Sequence, residues 1–483
     1  MSIKIIVKGF LYIPKELFTL YVERSLVFDN PEYFNAIRDG RSTKGISEQI
    51  VLYKKVKTKS GETLYRVPRY TFGSLSEFIT KYEHKIFMPK PSDIDINWKP
   101  KKKFILNDSQ IETLKKTKEF ITKDYSAIIV AKPGEGKTSM AIKLITEFKQ
   151  KTLILVHKNS LIKQWTEELL TLTDLKESDI GLLQQGKFID GKVVIGSQAS
   201  LMRNTISRDI NKLFPMKIQD EFHLIGSKMF LRANTRFNST MTLSLSATPF
   251  REDGLEKLYF LHSSNNIVKH RTARNVNSKY YSIGYNRKTK YRMLPYLPYR
   301  IGLIQNIIED EDRNDLLMRL LKAAVKDGRR VIMVSDRINH LKLLMDRSLE
   351  MFPNKKIVRF FNAKSLTKKE KRMGIKQEKV IPPTREEMIS ADIIFGSYKK
   401  IKDGENIPQI DTLIFCTPVS SAVTVEQIKG RIEREYKGKQ FPLVIDIIDN
   451  GSSLTEGMYN KRKSLYNSFN MEYIDLSKKW LIE

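Results

Sequence analysis

Two short stretches hold residues whose types and spacing can do chemistry. The first is AKPGEGKT, Ala131 to Thr138, set between the apolar run SAIIV and the helix-like TSMAIKLITEFK. Gly134 and Gly136, on either side of Glu135, let the backbone approach an anion closely because neither carries a Cβ. Backbone N–H groups and a helix N-terminus then favour negative charge. In such a loop Lys137 reaches the β and γ phosphates of a nucleotide, and Thr138 offers its hydroxyl to Mg2+. The first position is Ala131, where the motif usually has Gly. The second stretch is MKIQDEFHLIG, which sets Asp220 and Glu221 side by side after a short run. One acid can hold a cation while its neighbour takes a proton from water. The same pair can also simply end a strand at a polar turn. Lys217 and Gln219 alternate with Met216 and Ile218, which is less apolar than a buried parallel strand usually is.

Further polar groups follow in a fixed order. LSLSATPFRED carries Ser246, Ala247 and Thr248 after an apolar run, and VEQIKGRIERE carries Gln427, Arg431 and Arg434. At helical spacing the last three share a face. Such a face is ordinarily just solvated. Aimed at a γ-phosphate, its two arginines would instead supply transition-state charge.

The elements that must position these residues are α/β. SAIIVAK, KTLILVHK and KVVIGS are short β-rich runs, and helical periodicity separates them. After Arg300 the alternation resumes with RRVIMVSD, KKIVRFFNA, ADIIFGSY, DTLIFCTP and FPLVIDII. Strand–helix alternation implies parallel sheets. We therefore expect two tandem parallel-sheet α/β domains, 105–260 and 301–455, behind a small α+β N-terminal domain, 1–88. A linker at 89–104, a basic tyrosine-rich connector at 261–300 and a C-terminal extension at 456–483 complete the division. KSGET reads as a hairpin turn between alternating runs.

Composition narrows the class. Lysine and arginine total 85 against 55 acids in 483 residues, a formal charge of +30. The usual partner of such a surface is a polyanion, nucleic acid first. One cysteine, Cys416, excludes an internal disulfide and any CxxC zinc pair. A reducing, cytoplasmic setting without membrane insertion is expected, because no apolar run approaches the roughly 18 residues that span a bilayer, and the N-terminal run is broken too often for a signal peptide.

Taken together, the motifs resemble those of the superfamily two helicases, in that family's order from Leu106 to Arg434. LNDSQ is similar to the adenine-side element, AKPGEGKT to motif I, LVHKNSLIKQW to Ia and VVIGSQASLM to Ib. DEFH resembles the DExH box, SAT motif III, VIMVSD motif IV, GSYKKIKDGENIP motif V and QIKGRIER motif VI. SQASLM, GSYKKIKDGENIP and LYRVPRYTF resemble the phage branch-migration helicases, including the counterpart in T-five-like phages. The resemblance implies two RecA-like domains with ATP and Mg2+ between them. Gln110 would face adenine. Ala131, Gly134, Glu135, Gly136, Lys137 and Thr138 would hold the phosphates, with Gly404 and Glu405 on the ribose side. Asp220 and Thr138 would hold Mg2+, and Glu221 would be the general base. Gln427 would position water, and Arg431 and Arg434 would reach the γ-phosphate. His223, Ser246 and Thr248 would couple the phosphate state to DNA, contacted through His157, Lys158, Ser197, Gln198, Ser335 and Ser397. Phe222 stands where Ala or Cys is usual, which the mechanism tolerates if the ring packs into the core, and Glu405 stands where many relatives have Asp. The implied partner is single-stranded or branched DNA, the implied state a monomer in the host-cell cytoplasm, and the implied reaction ATP-driven branch migration. The connector interleaves basic and aromatic residues in a way that suits forked DNA, in which case it or the N-terminal domain would hold the fork, and it reads equally well as a packed interdomain connector with a solvated basic face. A duplex translocase, an RNA helicase and an inactive ATPase fold that only binds nucleic acid are the rival readings.

Overall fold

The computed structural model describes residues 3–38, 42–87, 98–132, 134–197, 210, 212–222, 237, 239–247, 255–270, 277–292, 298–363, 373, 378, 380–402, 407–434 and 436–480. The chain divides into two compact units, Met1–Ala273 and Arg274–Glu483.

The first unit opens with β1 (Lys4–Val7), β2 (Phe10–Pro14), β3 (Val27–Asp29), β4 (Gln49–Val51), β5 (Lys54–Lys57), β6 (Thr63–Pro68) and β7 (Glu83–Ile86). Five of them form a sheet in the order β5-β6-β2-β1-β7, and β3 pairs with β4. The β5–β6 hairpin turns at KSGET, where Gly61 takes a φ of +83°. Alternating side chains Ile5, Val7, Leu11, Ile13 and Val67 build this sheet's core with Phe78, Ile79 and Leu261.

A larger sheet follows. Its strands are β8 (Ser126–Val130), β9 (Thr152–Val156), β10 (Ile180–Gln184), β11 (Lys187–Ile189), β12 (Val193–Ser197), β13 (Met216–Gln219), β14 (Met241–Ser246) and β15 (Ile267–Lys269). Their order is β11-β10-β12-β9-β13-β14-β8-β15, parallel except for the β10–β11 hairpin. One face meets helices 108–124, 137–148 and 159–172 through a core that includes Ile129, Ile154, Ile195, Ile218 and Leu243.

β13 is buried at all four positions despite its polar residues. Met216 and Ile218 face the main apolar core, and Lys217 and Gln219 take the opposite face. The Gln219 Oε1 accepts from the Ser244 and Ser263 hydroxyls at 3.0 Å each, so part of that polarity is met inside the fold. Burial, with Arg69 close by, pulls the Lys217 amine down to about 7.

The small sheet is fastened to the large one. Arg69 donates to the carbonyls of Ser239 and Thr240 at 2.8 and 2.7 Å, immediately before β14. The buried Asp124 carboxylate accepts from the Ser76 N–H and the Ser74 hydroxyl, both at 3.0 Å, and from the Asn266 amide at 2.9 Å.

The second unit holds β16 (Lys279–Tyr285), β17 (Val331–Ser335), β18 (Ile357–Phe360), β19 (Ile393–Ser397), β20 (Thr412–Phe415), β21 (Leu443–Asp449) and β22 (Glu472–Tyr473). They make one parallel sheet in the order β18-β19-β17-β20-β21-β16-β22. Arg462 fixes helix 453–468 to β21 by pairing with Asp446 at 2.7 and 2.9 Å. The described part of the basic, tyrosine-rich tract carries strands. Its residues supply β15 to the first sheet and β16 to the second. Tyr280 and Tyr281 are core residues, and Tyr285 donates to Asp310 at 2.7 Å. These tyrosines serve packing and hydrogen bonding within the second unit.

Candidate nucleotide site

The phosphate loop leaves the carboxyl end of β8. Gly134 and Gly136 take φ values of +87° and +79°, a left-handed backbone that residues with a Cβ enter only at a cost. Gly136 is also crowded, since a Cβ there would lie 2.4 Å from the Gln110 amide nitrogen. That amide donates to the Glu135 carbonyl at 3.1 Å, while its oxygen accepts from the Asn107 N–H at 3.1 Å. Gln110 thus both caps helix 108–124 and braces the loop. The Glu135 carboxylate accepts from the Lys132 N–H at 2.7 Å. Lys137 begins helix 137–148, with Thr138 next to it, and its amine donates to the Ala131 carbonyl at 3.1 Å. No side chain caps this helix, which leaves its first N–H groups for an anion.

Two strands away, Asp220 and Glu221 leave the same end of β13. The Asp220 N–H donates to the Leu155 carbonyl at 3.0 Å, extending the β9 pairing by one residue. Glu221 then takes a φ of +49°, a left-handed turn costing on the order of 1 kcal/mol for a residue with a Cβ. The Asp220 carboxylate is buried. It accepts the Glu221 N–H on Oδ1 and the Trp165 indole N–H on Oδ2, both at 2.9 Å. Burial and the Glu221 charge raise its pKa to about 6, against the indole bond and the positive charge of Lys137. Lys137 and Asp220 therefore share one electrostatic environment. Ser246 ends β14 between them, and its carbonyl accepts the Ala131 N–H at 3.1 Å. Phe222 is fully buried against Ile128, Leu258 and Tyr259, which accommodates the unusual residue in DEFH.

This donor set fits Mg2+ with a nucleotide. A hydroxyl at Thr138 and a buried carboxylate stand beside a second acid, and a cation would relieve the repulsion between the two acids.

The remaining residues scatter more widely. His157 and Lys158 lie just before helix 159–172, and Ser197 is buried at the end of β12. In the second unit Ser335 is fully buried, accepting from the Arg337 N–H at 3.2 Å. Ser397 accepts from the Lys400 N–H at 3.4 Å, at the start of helix 398–402. Gln427, Arg431 and Arg434 lie on or just after helix 422–432. Burial and the neighbouring Arg431 lower Arg434 to about 9, so the two guanidinium groups lie near one another. Gln198, His223, Thr248, Gly404 and Glu405 lie outside the described residues. Sequence reasoning missed Trp165. Its only signal was its place at the end of LVHKNSLIKQW.

Residues 103–251 match the family described as "Type III restriction enzyme, res subunit". The chain is similar to "Putative ATP-dependent RNA helicase L396" of Acanthamoeba polyphaga mimivirus, 26% identical over 367 residues, 74% of this chain and 66% of that protein. It is also similar to "Probable helicase D10" of Escherichia phage T5, 24% identical over 339 residues, 68% of this chain and 69% of the other. The chain resembles helicase-family proteins across these matches. It thus spans just under two thirds of the mimivirus helicase and somewhat more of the phage one. Among solved structures it is similar to T4 UvsW, with 16% identity, 98% and 99% coverage of the two chains and a TM-score of 0.39. It is also similar to S. cerevisiae Dbp5, with 12% identity, 77% and 94% coverage and a TM-score of 0.50. The likeness supports a RecA-like parallel α/β fold, with the small N-terminal sheet beside it in sequence. No described helix is long and apolar enough to cross a membrane.

Proposed function

We propose that this helicase-family chain is an ATP-driven DNA motor that remodels branched DNA, such as forks and four-way junctions. The observation that carries the ATPase part is the convergence of the phosphate loop with the Asp220–Glu221 pair at the carboxyl ends of two parallel strands, β8 and β13, that flank β14. Lys137 and the loop N–H groups bind the phosphates. Thr138 and Asp220 hold Mg2+, which when bound offsets phosphate charge. Glu221 takes the proton of the attacking water, and the family resemblance gives Gln427, Arg431 and Arg434 supporting roles in hydrolysis. His157 and Lys158, together with Ser197, Gln198 and Ser397, touch the nucleic-acid backbone, which carries no sequence information. The +30 charge supports a polyanionic partner.

A second reading, an RNA motor, follows the name of the mimivirus relative. Hydrolysis measured with single-stranded DNA, junction DNA and RNA of matched length separates the two. Stronger stimulation by DNA supports the first, and a preference for strands with a 2′-OH supports the second. No hydrolysis with any of them overturns both.

A further inference from the structure

We propose that Trp165 is the positioning residue of the acid that holds Mg2+. This rests on the nucleotide-site reading above. The indole sits on helix 159–172 with 1% of its surface exposed, and Nε1 lies 2.9 Å from the Asp220 Oδ2. Indole N–H is a donor only, so this contact is satisfied by the carboxylate as an acceptor on that oxygen. With the Glu221 N–H on Oδ1, each carboxylate oxygen has one protein donor at 2.9 Å. Two donors on two oxygens fix the rotation of the carboxylate, while each oxygen keeps a lone pair for a cation or its water. The Glu221 donor is backbone and comes with the turn. The Trp165 donor comes from a residue 55 positions away and is the one the sequence can change.

The ring is also part of the main core of this domain, packed with Ile154, Val156 and Leu169. A purely packing role and a positioning role therefore make different forecasts. A packing residue affects stability wherever it is probed. A positioning residue affects the Mg2+ requirement, and only while Asp220 can use the bond.

The test uses the full chain and a fluorescent ATP analogue, with binding followed as Mg2+ is titrated. Trp165→Phe keeps an aromatic ring and removes the N–H. We expect it to need roughly 10-fold more Mg2+ for half-maximal binding, with binding in chelator unchanged. In an Asp220→Asn background the same substitution should add no further shift. An unchanged Mg2+ midpoint in a folded Trp165→Phe protein, or an equal added shift in the Asp220→Asn background, overturns the proposal. If nucleotide binding itself is absent in the unaltered chain, the nucleotide-site reading fails instead. Should Trp165→Phe not fold, the chain with Trp98→Phe and Trp480→Phe leaves Trp165 as the sole emitter, since the chain has 3 tryptophans. Its emission should change with nucleotide plus Mg2+ and not with nucleotide alone, and no Mg2+-dependent change overturns the proposal.

Discussion

At the scale of single residues, the chemistry dictates residue types, and this is why the phosphate loop and the acid pair were legible in the sequence. On the proposed reading Lys137 must be cationic, and Gly136 must lack a Cβ because of its left-handed backbone and the Gln110 amide beside it. Lys137→Ala should weaken nucleotide binding and lower kcat/KM by roughly 100-fold or more, measured by nucleotide titration and steady-state hydrolysis. Glu221→Gln should still bind nucleotide but lose roughly 100-fold or more in turnover, read in single-turnover hydrolysis. Normal hydrolysis by either protein would contradict these roles. What stayed illegible were partners set by the fold. The indole bond joins Trp165 to Asp220 across 55 positions, and no local spacing encodes it. Gln110 was expected, from the family resemblance, on the adenine side, and its brace on the Glu135 carbonyl depends on the loop's conformation.

At the scale of elements, alternation of apolar strands and amphipathic helices revealed the parallel sheets because strands buried on both faces are uniformly apolar. β13 breaks that pattern. Lys217 and Gln219 weaken its sequence signal, yet the strand lies between β9 and β14, with Ser244 and Ser263 serving Gln219. The Lys217 shift has a definite sign. Its amine is at about 7 in the fold against 10.5 when free, so between these values the unfolded chain binds the extra proton. Stability from this group is therefore present above the unfolded value and is lost as pH falls towards 7. Lys217→Met should raise the melting temperature at pH 7 to 8, with the gain shrinking towards pH 10, as followed by thermal melts across that range. A gain independent of pH would show that the lysine is not titrating there. Arg69 makes a second prediction. Arg69→Ala leaves the Ser239 and Thr240 carbonyls without their donors and should cost about 2–4 kcal/mol, seen in urea unfolding of the full chain. For the tyrosine-rich tract composition leaves two readings open, because basic and aromatic residues can serve packing as readily as base stacking. Tyr280 packs against Tyr466 with ring centroids 4.9 Å apart, and that partner is nearly 190 positions away in the chain.

At the scale of the whole molecule, charge and motif order spoke for a nucleic-acid motor, while strand polarity and the preferred junction are written in no local pattern. The +30 charge also sets the conditions of any test, because a protein that neutralises several phosphates loses affinity steeply as salt rises. Binding to DNA should weaken with a log–log slope of about −0.9 for each duplex phosphate neutralised, measured by titrating salt at fixed protein. The most direct measurement is ATP-dependent dissociation of a synthetic four-way DNA junction beside a tailed duplex, at one moderate salt concentration. We expect the junction to come apart with ATP and Mg2+, and to stay intact without ATP or with Lys137→Ala. ATP consumed with no strand released from either substrate would contradict branched-DNA remodelling and leave a translocase.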